Sequence, residues 1–214
     1  MENKEILKHI DHTLLKAYSS FEDIKILCDE AIKNQTASVC IPQTYIKRVK
    51  DNYPSLNVCT VIGFPLGYNS TKSKVVEAEN AMEDGASEID MVINISDVKN
   101  GDYKKVEDEI KTLRQTCKGK ILKVIVETCY LTDDEKIEMC KAVTNAKADY
   151  IKTSTGFGTG GAKMEDVLLF KKHIGDDVKI KASGGVKSKE DLIAFIEAGC
   201  DRIGTSSAVK MLEK

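Results

Sequence analysis

Two lysines stand where a lysine is costly to place. Lys152 ends the apolar, β-prone run "DYIKT" (149–153), and Lys181 sits inside "VKIKAS" (178–183); glycine- and hydroxyl-rich segments follow both. A single strand lysine ordinarily faces solvent and is seldom fully buried. If helices cover the outer face of both strands, neither side chain has solvent to reach, so each must point inward and be compensated there. Asp90, in "EIDMVI" (88–93), offers a carboxylate in a third such run. Two lysines with one carboxylate suit amine catalysis. An amine attacks a carbonyl only when neutral, burial and a neighbouring cation both lower its pKa, and a carboxylate can carry protons. A unit charge at ~4 Å and an effective dielectric near 20 is worth about 4 kcal/mol, enough to move a neighbouring amine by two to three pH units. Lys181 is thus the candidate for tuning Lys152.

The elements that must position these residues alternate along the chain. Strand candidates are "IDHTLL" (10–15), "ASVCI" (37–41), "VCTVI" (58–62), "EIDMVI" (88–93), "ILKVIVE" (121–127), "DYIKT" (149–153), "VKIKAS" (178–183) and "DRIGT" (201–205). Amphipathic stretches such as "FEDIKILCDEAI", "YKKVEDEIKTLRQ" and "SKEDLIAFIEAG" lie between them, with apolar residues at helical spacing. Thr132 and Ser188 are placed to start helices, and Gly85, Gly175 and Gly199 to end them. Strands that alternate with helices pair in parallel through right-handed crossovers. A count of eight selects a (β/α)8 barrel, read as a single domain over 1–214, with an open doubly wound sheet as the alternative if "IDHTLL" is no strand. In such a barrel the catalytic groups belong at the C-terminal strand ends.

Two loops then take on meaning. "SGGVKS" (183–188) follows the seventh strand and "GTSSAVKML" (204–212) the eighth, where (β/α)8 enzymes commonly hold a phosphate. Gly184 and Gly185 allow close backbone approach, while Ser206 and Ser207 present donors at a helix start. One Gly-Gly pair is usually only a turn; two loops at both expected places are more informative.

Composition excludes other classes. The 214 residues carry 32 basic and 34 acidic side chains, a net charge of -2, with no basic stripe for nucleic acid. No apolar run approaches the ~18 residues of a membrane span, and "MENKEILKHI" carries charge where a signal peptide needs an apolar core. Seven cysteines without a Cys-x-x-Cys pair read as reduced thiols of a cytoplasmic protein, not a zinc site. A metal-dependent aldolase would place histidines at strand ends; the three here are His9, His12 and His173, the last positioned to cap a helix.

The chain resembles the deoxyribose-phosphate aldolases, a family of Schiff-base aldolases. The resemblance runs through "IDHTLLK", "VIGFPLG", "EIDMVIN", "LKVIVET", "YIKTSTGFGTGGA", "KASGGV" and "AGCDRIGTSSA". It implies that Lys152 forms the Schiff base, that Lys181 keeps it reactive and moves protons, and that Asp90 donates and accepts protons. It places Gly156, Gly184, Gly185, Ser206 and Ser207 on the substrate phosphate, Asp11 and Thr13 as a supporting polar pair, and Cys40 as a pocket bystander. The implied reaction cleaves 2-deoxy-D-ribose 5-phosphate to glyceraldehyde 3-phosphate and acetaldehyde in deoxynucleoside breakdown. It needs neither metal nor organic cofactor, and a homo-oligomer, dimer or tetramer, is expected. "IPQTYI" (41–46) departs from the Asn-Pro pair common among relatives, and no residue here matches the tyrosine-ended tail of some of them. A different Schiff-base sugar-phosphate lyase or transferase, or a non-enzymatic sugar-phosphate sensor, stays as an alternative. The sensor would have no use for the two lysines and Asp90.

Overall fold

A computed structural model describes residues 1–213. All eight expected strands form: β1 (Ile10–Thr13), β2 (Ser38–Cys40), β3 (Val58–Ile62), β4 (Glu88–Val92), β5 (Ile121–Ile125), β6 (Tyr150–Lys152), β7 (Lys179–Ser183) and β8 (Arg202–Thr205). Each pairs in parallel with its sequence neighbour, and β8 pairs with β1, which closes the barrel. The open sheet is thereby ruled out. Its helices are α1 (Asn3–Leu7), α2 (Phe21–Asn34), α3 (Ile46–Asn52), α4 (Thr71–Glu83), α5 (Ile95–Lys99), α6 (Tyr103–Thr116), α7 (Asp133–Asn145), α8 (Met164–His173), α9 (Lys189–Glu197) and α10 (Ala208–Leu212). Of these, α1, α3 and α5 are too short or too polar to announce themselves by periodicity. Among the described residues no helix is long and apolar enough to cross a membrane.

The main helices start where their caps predict. Capping boxes at Ser20/Asp23, Thr132/Glu135 and Ser188/Asp191 satisfy otherwise unpaired amides of α2, α7 and α9, worth about 1 kcal/mol each. Gly85 and Gly199 follow α4 and α9 at φ +108° and +105°, a backbone region that only glycine enters freely. Gly175 departs from that expectation. The helix α8 stops at His173 because Ile174 turns extended. Gly175 is instead a close-packing position, where a Cβ would lie 2.5 Å from Thr144 Cγ2.

Apolar burial is concentrated outside the barrel. Ile89, Met91, Leu122, Val124, Ile151, Ile180 and Ile203 are fully or almost fully buried and join one cluster with Ile110, Leu113, Met139, Val143 and Phe170 of the surrounding helices. Each such side chain contributes roughly 1.5–3 kcal/mol relative to exposure. The alternate strand positions point into the barrel, and most of them are polar or charged.

Candidate active site

The inward positions stack in three layers, each drawn from alternate strands. Ser38, Glu88, Tyr150 and Arg202 lie lowest; Asp11, Cys59, Lys123 and Lys181 come next; Cys40, Asp90, Lys152 and Gly204 lie nearest the mouth. Branched aliphatic residues dominate such layers in most barrels of this type. Here four cations face three carboxylates, and none of the seven is more than slightly exposed except Arg202.

Asp90 is the hub. Its Oδ2 accepts from Lys152 Nζ at 2.8 Å and from Lys181 Nζ at 2.7 Å. Its Oδ1 accepts from Lys123 Nζ at 2.8 Å and from Cys59 Sγ at 3.1 Å. Lys152 and Lys181 are register partners on β6 and β7, so the two lysine Nζ atoms share one carboxylate oxygen. Below them, Lys123 pairs with Glu88 at 2.6 Å. Arg202 donates to Asp11 Oδ1 at 2.5 Å and to both Glu88 oxygens at 3.2 Å. Lys181 also lies 2.5 Å from Asp11 Oδ2, a charge contact without hydrogen-bond alignment.

These contacts set the protonation states. Burial alone would push the Asp90 carboxyl up, but the charges of Lys123, Lys152 and Lys181 outweigh it and hold Asp90 well below the carboxylate range. Asp11 is likewise held down, against burial, by Lys181, Lys123 and Arg202. For Lys181 the signs reverse. Burial would strip its proton, yet Asp11 and Asp90 hold its pKa above that of a free lysine. Lys123 is raised as well: burial opposes its charge, and Asp90, followed by other neighbouring anions, overcomes it. Lys181 is therefore held as a cation beside Lys152.

A cavity of about 410 Å³ opens above this cluster. Lys152 reaches it, and so do Thr13, Gly156, Gly184, Gly185, Ser206 and Ser207, seven of the residues picked out by sequence. The backbone explains the glycines. Gly156, Gly184 and Gly185 sit at φ +86°, +76° and +76°. A Cβ on Gly161 would come within 2.5 Å of the Gly184 carbonyl carbon, so the loops after β6 and β7 meet main chain to main chain. Ser207 precedes only a five-residue helix, and its amide is taken by Thr205 Oγ1 at 3.2 Å.

Four picked residues do not line that cavity. Asp90, Lys181 and Asp11 form its buried foundation. Cys40 is fully buried beside Cys59 and Asp90, so it is a packing residue and not a pocket wall. Thr13 donates its hydroxyl to the Asp11 carbonyl at 2.7 Å, supporting the backbone of Asp11 and not its carboxylate. The segment 41–46 forms a turn at Gln43–Tyr45 that lines a neighbouring cavity of about 340 Å³ with Lys16, Phe64 and Glu77. An edge-to-face pair, Phe64 and Phe157 at 5.3 Å, stands between the two cavities.

The donor sets Cys40–Cys59–Asp90 and Asp11–Cys59–Glu88 are each grouped within 4.8 Å. Every carboxylate in them already holds an ammonium or guanidinium group, which a metal ion would have to displace. His9 and His12 are engaged elsewhere: His12 Nε2 lies 2.7 Å from Glu30 on α2, and His9 Nδ1 lies 2.9 Å from the Asp201 carbonyl oxygen.

Sequence reasoning passes over Lys123, Glu88, Arg202 and Glu127. Lys123 and Glu88 carry the signal that exposes Asp90 and Lys181, a charge inside an apolar run. Lys123 lies within an apolar strand, and Glu88 sits two residues before Asp90 on the same face. Glu127 gives no local signal.

Comparison with known proteins agrees with the fold. The model of the DeoC/LacD family aldolase matches residues 6–207. A protein named deoxyribose-phosphate aldolase from Clostridium botulinum (strain Alaska E43 / Type E3) is 64% identical over the whole chain and 97% of its own length. One of the same name from Clostridioides difficile (strain 630) is 58% identical over 98% of this chain and 96% of its own. Among solved structures, the tetrameric deoxyribose phosphate aldolase from Aeropyrum pernix superposes with a TM-score of 0.93 at 32% identity, covering 99% of this chain and 91% of its own. The chain belongs to the DeoC/LacD family of aldolases.

Proposed function

We propose that this protein, as one barrel domain over 1–214, reversibly cleaves 2-deoxy-D-ribose 5-phosphate to D-glyceraldehyde 3-phosphate and acetaldehyde. One observation carries the reading: the cavity that receives the Lys152 amine is also lined by Gly156, Gly184, Gly185, Ser206 and Ser207. An amine and a set of neutral donors are thus presented to the two ends of one small molecule. The substrate class carried by the relatives' names fits both ends.

Lys152, as the free amine, adds to the C1 aldehyde, and loss of water gives a protonated imine. The C3 hydroxyl proton then passes to a base in the Asp90 cluster. The C2–C3 electron pair moves into the imine, releasing glyceraldehyde 3-phosphate and leaving an enamine. Protonation at C2 and addition of water free acetaldehyde and the lysine. Lys181 shares an oxygen of Asp90 with Lys152, so a proton can travel between the reacting centre and a cation that is held charged. The imine is the electron sink, and no metal or organic cofactor enters the scheme. Self-association as a dimer or tetramer is part of the same reading, in line with the tetramer described for the Aeropyrum relative. A cytoplasmic location fits seven free cysteines, all but Cys129 buried.

Borohydride reduction in the presence of acetaldehyde is expected to fix a two-carbon adduct on Lys152, found by peptide mass mapping. Lys152→Arg is expected to abolish trapping and to cut turnover by roughly 10⁴-fold or more, since a guanidinium keeps its proton and forms no imine. An adduct on Lys123 or Lys181 in the native chain would overturn the assignment.

A further inference from the structure

Four buried carboxylates lie outside the charge cluster; Asp97, Glu109 and Asp166 each pair with a lysine, and Glu127 pairs with none among the described residues. Glu127, just past β5, is 1% exposed and sits at φ +55°. A side-chain-bearing residue in that region costs on the order of 1–2 kcal/mol, so its surroundings must hold it there. Its carboxylate takes the Thr155 amide at 3.2 Å on Oε1 and 3.3 Å on Oε2. It also accepts the Thr155 hydroxyl on Oε2. That hydroxyl oxygen in turn accepts the Phe157 amide at 3.0 Å. The polar groups that shape the turn at 155–157 thus run to Glu127, directly or through one hydroxyl.

The rest of the loop lies on the same support. A Cβ on Gly158 would meet Cys129 Sγ at 2.9 Å and Glu127 Cδ at 3.1 Å, and one on Gly160 would meet Cys129 Cβ at 3.2 Å. On its far side, Gly161 touches the Gly184 backbone. Gly158, Gly160 and Gly161 are required because the loop is clamped between the end of β5 and the loop after β7, whereas Gly156 is called for by its φ of +86°.

We propose that Glu127 is a positioning residue that holds the 155–161 loop in the shape that receives the substrate's phosphate. This rests on the phosphate site proposed above. Glu127 does not touch the phosphate; it fixes Gly156, whose backbone lines the cavity.

The test uses the full chain and two independent readouts: inorganic phosphate affinity by titration calorimetry, and kinetics with deoxyribose 5-phosphate against unphosphorylated deoxyribose. Glu127→Ala and Thr155→Val are each expected to weaken inorganic phosphate binding about tenfold, as loss of one to two hydrogen bonds implies. KM for the phosphorylated sugar should rise in parallel, with kcat/KM for deoxyribose falling much less. Thr155→Ser, which keeps the hydroxyl, should regain most of the affinity lost in Thr155→Val. If Glu127→Ala does not fold, Thr155→Val carries the comparison. Phosphate affinity within twofold of the native protein in both variants, no phosphate binding by the native protein, or equal losses with both sugars would overturn the proposal. A native chain that binds phosphate but cleaves no deoxyribose phosphate would sink the aldolase reading alone, with the Glu127 result still decided by calorimetry.

Discussion

The barrel interior and its mouth solve the problem of holding an anion in opposite ways. Inside, three carboxylates, each at most 1% exposed, are met by lysine or arginine at 2.5–3.2 Å. At the mouth, the surface proposed to take a dianionic phosphate is made of glycine amides and hydroxyls, with Lys152 and Lys16 the lining cations. The difference follows from what each anion must do. The internal carboxylates stay for the life of the fold, so their desolvation has to be offset by permanent partners. A substrate phosphate must leave after each turnover, and neutral donors hold it without the cost of stripping water from further ammonium groups.

The contrast breaks most severely at Lys181. Lys181→Arg keeps a cation on Asp90 but cannot release a proton, so turnover should fall by roughly 10²–10⁴-fold while borohydride trapping persists. Lys181→Leu removes the cation as well, and its trapping profile should move to higher pH than that of Lys181→Arg. Coincident profiles in the native and both variant proteins would deny Lys181 any electrostatic role.

A second, smaller effect tests whether the interior is a closed charge system. Lys123→Met leaves Glu88 and Asp90 buried with fewer partners and should cost about 3–5 kcal/mol in urea unfolding. The pH dependence has a definite sign. The carboxyls of Asp11 and Asp90 are depressed in the folded state, so their contribution is full above an unfolded pKa near 4 and is lost as pH falls through the lower folded values. Lys123 and Lys181 are raised. Their contribution is full below about pH 10.4 and is lost as pH rises through the higher folded values. The cluster's share of stability should therefore be flat between roughly pH 5 and 10, and Lys123→Met should shrink its acid-side fall.

The mildest perturbation is at the mouth. Ser207→Asp puts a fixed negative charge against the incoming phosphate and should raise KM for deoxyribose 5-phosphate by about tenfold, roughly 1.4 kcal/mol. Unphosphorylated deoxyribose should be affected far less, and thermal stability should barely move because Ser207 is only partly buried. Matching losses for the two sugars would remove Ser207 from the phosphate site.

How far the sequence reveals this arrangement depends on whether the signal is local. Each strand is legible because a short apolar run is bounded by helix caps or glycine. Lys152, Lys181 and Asp90 are legible because a charge inside such a run contradicts its surroundings. Arg202 opens β8 in "DRIGT", where a charged residue reads as an ordinary strand boundary, and only closure of the barrel against β1 brings it to Asp11. Cys40 misleads because alternation places it inward without revealing how tightly Cys59 and Asp90 pack around it. Glu127 is the least legible, since its partner Thr155 lies 28 positions away in a loop whose path the sequence does not dictate.

The charged layers also bear on how the molecule responds to heat. Hydration of ions becomes less favourable as temperature rises, so the penalty for burying seven charged groups shrinks on warming, whereas apolar burial gains little more per unit area. Relative to a barrel filled with aliphatic layers, this interior should resist thermal loosening better than it resists acid. The last part of the fold to open on heating should then be this charged interior itself.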